Sequence, residues 1–278
     1  MSGAIREPAV AGQFYPADRA ELQSTVERLL RDALGRSSGV AGRTAKAIIA
    51  PHAGYQYSGP IAASAYAALL PLQASVRSVV LAGPSHFHHV QAVAVPSVDA
   101  FDMPLGPMNV DLEARARALE IAGVVTDDGA HAQEHSLEVH LPFIVNVFGD
   151  VPVLPLAVGR GGGAVMASLL DALWGDAGTR VVISTDLSHQ VPALLARQLD
   201  TRTAASICQL EPPAHEMACG AAAVAGLLAP ARERRVEVEL LDLRNSADTA
   251  GDAHRVVGYG AFALFEPALT SSSVEVVS

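Results

Sequence analysis

Short apolar, β-branched runs recur along the chain. Six of them, at 45–50, 76–82, 151–158, 180–184, 236–243 and 256–265, have the length and composition of strands, and several stop at Gly or Pro, as before Pro51 and Gly83-Pro84. Segments with helical spacing lie between them. The clearest is 19–34, with leucines at 22, 29, 30 and 34; others are 60–70, 112–122, 164–173, 192–208 and 217–228. Strands that alternate with helices predict an α/β fold, with a largely parallel or mixed central sheet covered by helices on both faces. No linker marks a boundary, so one domain is expected over 1–278, with a polar tail after Pro267 frayed from the core.

Composition narrows the partners. Half of the 278 residues are hydrophobic and 17% are charged, which excludes a disordered chain. The net charge of -10, with no basic run, argues against nucleic acid and anionic membranes. No run reaches the roughly 18 apolar residues of a membrane span. Residues 1–16, which include Arg6 and Glu7, do not read as a signal peptide. Cys208 and Cys219 form no disulfide framework, so a cytoplasmic location with free thiols is expected. Gly159–Gly163 (GRGGG) lacks the Gly-x-x-x-x-Gly-Lys-Ser/Thr phosphate motif and reads as a plain loop before a helix.

The candidate chemistry sits at strand ends. One apolar run is followed by Pro51-His52-Ala53-Gly54-Tyr55, a second by Gly83-Pro84-Ser85-His86, and a third by Thr185-Asp186-Leu187-Ser188-His189. Ligand sites of open α/β sheets lie beyond the carboxyl ends of the strands, so three strands aim an imidazole at one edge. Neutral imidazole binds divalent metal or takes a proton, and two histidines with one carboxylate suit non-haem Fe(II). Asp186 could orient His189, ligate, or simply cap a helix. In Glu134-His135-Ser136-Leu137-Glu138-Val139-His140 the spacing is not His-Glu-x-x-His, which removes the zinc-protease reading; His135 is the member expected to face the pocket. His88 and His89 read as exposed, and His131, His215 and His254 have no partner pattern.

In this order, the Ala11-Gly12-Gln13-Phe14-Tyr15-Pro16 start and the four motifs around His52, His86, His135 and Asp186–His189 resemble the Memo family, whose bacterial members are called AmmeMemoRadiSam system protein B. The resemblance spans about residues 7–266. It implies a fold like that of the class III extradiol ring-cleaving dioxygenases, with His52 and His86 as metal ligands and His189 as the acid/base group beside Asp186. Animal members carry a third ligand, a cysteine, near the C-terminus. Here Thr249 falls at that position beside Asp248, so Asp248 is the expected third ligand, ahead of Asp252 or Thr249, and copper–thiolate chemistry is disfavoured. Cys219 could approach the pocket but needs no such role as a small hydrophobe.

Three functions follow from this reading. The first is an iron-dependent redox or dioxygenase-like enzyme on a small molecule, with Fe(II) expected and zinc or copper as alternatives. The second is a metal-dependent hydrolase. The third is a non-enzymatic adaptor that holds a metal, peptide or small ligand.

Overall fold

Both faces of the central strands must be covered, because Ala45–Ala50 is apolar at every position but Lys46 and buried throughout. Ile48 and Ala50 point into one hydrophobic layer; Ala47 and Ile49 point into the other. A computed structural model describes residues 4–35, 43, 45–72, 74–175 and 177–267. The expected tail lies, from residue 268 on, outside the described residues.

The elements in chain order are β1 (Ile5–Arg6), α1 (Arg19–Leu34), β2 (Ala45–Ala50), α2 (Tyr55–Ala67), β3 (Ser78–Pro84), β4 (Val93–Val95), β5 (Ala100–Phe101), β6 (Met108–Asn109), α3 (Leu112–Leu119), β7 (Val124–Thr126), α4 (Gly129–Ala132), α5 (His135–Glu138), α6 (Leu141–Phe148), β8 (Val153–Val158), α7 (Gly163–Trp174), β9 (Thr179–Ser184), β10 (His189–Val191), α8 (Ala193–Cys208), α9 (Ala221–Glu233), β11 (Glu237–Asn245) and β12 (Val256–Phe265). Among the described residues nine strands join in one mixed sheet, ordered β10-β12-β2-β9-β3-β8-β4-β7, with β11 paired to β12. The middle four, β2, β9, β3 and β8, are mutually parallel. Helices α1, α2 and α6 cover one face, and α7, α8 and α9 the other. The mixed α/β sheet with helices on both sides is therefore as the sequence predicts.

Two departures have physical causes. The helix expected at 60–70 is displaced: α2 starts at Tyr55, directly after the His52 turn, and carries Pro60 in its second turn. Helix α6 (LPFIVNVF) was not expected. Six of its eight residues are buried, so it shows no polar stripe to give the period away.

Candidate metal centre

Because β2, β9, β3 and β8 run parallel, the residues that follow them emerge at one edge of the sheet. His52 follows β2, Asp186 follows β9, His86 follows β3 and Arg160 follows β8. The His52 and His86 rings lie 5.2 Å apart, centroid to centroid. His135, at the start of α5, stacks on His86 at 4.7 Å and stands 5.4 Å from His52. Phe14 packs on His135 at 4.7 Å and walls the far side.

The hydrogen bonds fix which nitrogen each ring can offer. Ser184 donates its only hydroxyl hydrogen to the Ser136 carbonyl (2.6 Å), so toward His52 Nδ1, also 2.6 Å away, it can only accept. His52 therefore carries its hydrogen on Nδ1 and keeps an open lone pair on Nε2. Glu134 does the same for His86, accepting from its Nδ1 at 2.9 Å and its backbone N–H at 2.5 Å. Glu134 also accepts from the Ser136 N–H at 2.9 Å, as the cap of α5. Gly83 explains itself here: a Cβ would stand 2.9 Å from Ser184 Cβ and 3.0 Å from Ser136 Oγ, inside the network that orients His52.

The third donor is a thiol. Cys219 Sγ lies 3.4 Å from His52 Nε2, and donor atoms of His52, His86 and Cys219 all fall within 4.8 Å of one another. The turn before α9 is pressed against the end of β9, where a Cβ on Gly220 would stand 2.5 Å from the Ser184 carbonyl oxygen. Cys219 N–H donates to the Asp186 carbonyl (3.2 Å) and Gly220 N–H to Thr185 Oγ1 (2.9 Å). His86, Glu134 and His135 form a second cluster of donors. Its carboxylate already accepts three hydrogen bonds, so the His52–His86–Cys219 set fits a cation better. Two imidazoles and one thiol held beside each other match the donors of zinc, copper and iron sites.

The electrostatics suit that use at the histidines and leave Cys219 a protonated thiol, whose proton a cation would have to displace. Burial, then the neighbouring His86 and His135 rings, push His52 well below the ordinary imidazole range, so it is neutral at pH 7. Burial lowers His135 to about 4. Its buried Nδ1 lies 3.4 Å from Glu134 Oε1, without the alignment of a hydrogen bond. Burial works to raise Glu134, but hydrogen bonds from His86 and Ser136 prevail and hold it below the usual carboxylate range. Burial, then the Asp186 carboxylate, push the Cys219 thiol up to about 12.

Several sequence expectations need correction. Asp248 does not face the histidines. It caps a 3-10 turn by accepting from the Asn245 N–H (2.9 Å) and pairs with Arg197 at 2.6 Å. Thr249 donates to the Ser246 carbonyl, and Asp252 accepts from the His254 N–H. The sulfur within reach of the two histidines belongs to Cys219. Asp186 does not orient His189 either. It accepts from the His52 N–H at 2.8 Å and positions that turn, while burial pushes it up to about 7. Burial lowers His189 below the ordinary imidazole range, against the opposing pull of the Leu187 backbone. His189 is exposed, near enough for its charge to bear on His52, but outside the close donor set among the described residues. Glu138, which sequence reasoning left without a task, is buried and accepts from Arg6, the Ala9 and Val10 N–H groups and Tyr15, tying the N-terminal motif to the site. His131, unassigned by pattern, is buried and bonded to the Ala94 carbonyl.

Comparison with known proteins finds related chains over nearly the whole length. The family described as Memo-like protein matches residues 6–263. A MEMO1 family protein of Methanopyrus kandleri is 36% identical, over 92% of this chain and 97% of its own. One of Methanosarcina acetivorans is 35% identical, over 92% and 98%. Among solved structures, uncharacterized protein JW3007 from Escherichia coli K12 aligns with a TM-score of 0.50 at 13% identity, over 76% of this chain and 98% of that one, which speaks to fold alone.

Proposed function

This chain belongs to the Memo family, and on that premise we propose that it is a mononuclear metal enzyme of redox or dioxygenase-like chemistry acting on a small molecule. The observation that carries the reading is the paired tautomer lock: Ser184 and Glu134 each fix a ring hydrogen on Nδ1, so that His52 and His86 offer Nε2 beside the Cys219 thiol. Fe(II) held there would supply open positions for O₂ and an organic substrate side by side.

The chain's own residues then divide the work. His52, His86 and Cys219 hold the ion. Glu134 orients His86 and raises the basicity of its far nitrogen. Asp186 fixes the His52 turn from the backbone side. His135, neutral and stacked on His86, borders the substrate space. His189, exposed and outside the close donor set, moves the substrate proton.

A metal-dependent hydrolase is the second reading, favoured by the sulfur donor, which zinc accepts readily. Elemental analysis of protein purified without oxygen, followed by oxygen-uptake measurements on candidate substrates, separates the two. One iron per chain with oxygen uptake supports the proposal. One zinc per chain with no uptake moves the site to hydrolysis. A chain that binds no metal leaves the adaptor reading in place of both.

A further inference from the structure

The sequence treated Gly159–Gly163 as a plain connection, and its glycines do have a packing cause. A Cβ on Gly159 would stand 1.8 Å from the Val90 carbonyl oxygen, and one on Gly162 2.3 Å from that of Ala92. Arg160, between them, has no such explanation. It is exposed, and among the described residues no hydrogen bond or ion pair engages its guanidinium. It follows the carboxyl end of β8, next to the strand that delivers His86.

Arg160 lines a largely enclosed cavity of about 230 Å³ together with His215 and two of the three proposed metal donors, His86 and Cys219. Gly220, Ala222 and Ala223, the N-terminal turn of α9, line it too, and no side chain caps that helix. A helix N-terminus carries partial positive charge, so a guanidinium and a helix end of one sign converge on one space, beside an imidazole able to hydrogen-bond an anion. No carboxylate lines this cavity among the described residues, although the chain as a whole carries a net charge of -10. The cavity is smaller than the roughly 300–1,000 Å³ of typical ligand sites, which restricts it to a single ring or a short chain.

We propose that this cavity is the anion subsite of the substrate pocket, with Arg160 and His215 recognising the carboxylate of a small organic acid whose other end reaches the metal donors. The proposal rests on the metal-enzyme reading above, and the following experiment separates the two. Titration calorimetry of the full chain, metal-free and metal-loaded, compares catechol with 3,4-dihydroxybenzoate and 3,4-dihydroxyphenylacetate, which share the chelating hydroxyls and add a carboxylate at two reaches. At least one acid binds about tenfold or more tightly than catechol, a difference of about 1.4 kcal/mol. The preference appears in the metal-free chain as well. Arg160→Ala abolishes it and leaves catechol affinity unchanged, Arg160→Lys restores part, and His215→Ala reduces it. Equal affinity of catechol and both acids in the unaltered chain overturns the subsite, as does an equal loss for all three ligands in Arg160→Ala. Metal content of the same samples judges the metal reading on its own: full loading without a carboxylate preference sinks only the subsite, and a persistent preference without loading sinks only the metal centre.

Discussion

Two turns make instructive opposites: 218–220, before α9, and 245–252, between β11 and β12. The second is far richer in oxygen donors, with Asn245, Ser246, Asp248, Thr249 and Asp252. Yet its own and neighbouring backbone, with the Arg197 guanidinium on Asp248, occupy them. Asn245 accepts from the Ala247 N–H, Asp248 from the Asn245 N–H, and Asp252 from the His254 N–H. Short polar side chains in turns readily satisfy nearby backbone in this way. The first turn offers one thiol. Its backbone is satisfied from outside, by the Asp186 carbonyl and Thr185 Oγ1, and the sulfur, which accepts from the Asp186 N–H at 3.2 Å, is turned toward His52 at 3.4 Å. Availability, set by who satisfies the backbone, decides which turn can hold an ion.

The sharpest way to break this contrast is substitution on either side of it. Cys219→Ala, like His52→Ala or His86→Ala, should abolish stoichiometric metal binding, a loss beyond the ~10–100-fold that follows removal of a supporting group. Elemental analysis after dialysis reads it. His189→Ala should keep its metal and lose turnover by ~10²–10⁴-fold, once a substrate is in hand; loss of metal instead would move His189 among the ligands. Glu134→Gln removes the carboxylate that fixes the His86 tautomer and should weaken metal binding ~10–100-fold in a competition titration with a chelator.

A smaller effect sharpens the difference between site and scaffold histidines. Burial lowers His140 to about 3, and its Nδ1 meets the Tyr66 hydroxyl at 3.0 Å. Its folded value lies below the unfolded 6.5, so its contribution is fully present above about 6.5 and is lost as pH falls toward 3. Urea melts between pH 6.5 and 4.5 should show stability falling by about 1.4 kcal/mol per pH unit for each such buried histidine, and a slope one proton shallower in His140→Asn. The smallest change is Asp248→Ala. It should cost about 1 kcal/mol in thermal or urea melts, through a lost cap and an exposed ion pair, with metal content unchanged.

The frame of the site is legible in the chain because β2, β3 and β9 are buried on both faces. Their short, largely apolar and β-branched runs announce strands, and the His52 and His86 that follow must share an edge. Cys219 is not legible in that way. It precedes a helix on one face of the sheet, and only the close approach of Gly220 to Ser184 brings it to the strand ends. Asp248 misled because a carboxylate at a promising position says nothing of its own backbone. The locks on His52 and His86 are equally hidden: Ser184 is the last residue of a strand and Glu134 a helix cap, 132 and 48 residues from the rings they orient.

X-ray absorption spectroscopy of the metal-loaded chain, at the edge of whichever ion it carries, tests the central claim most directly. The account predicts one sulfur scatterer, at about 2.3 Å if the ion is zinc, with nitrogen at about 2.0–2.1 Å. The sulfur shell should vanish in Cys219→Ser and persist in Asp248→Ala. A first shell of nitrogen and oxygen alone in the unaltered protein, or a sulfur shell untouched by Cys219→Ser, would contradict it.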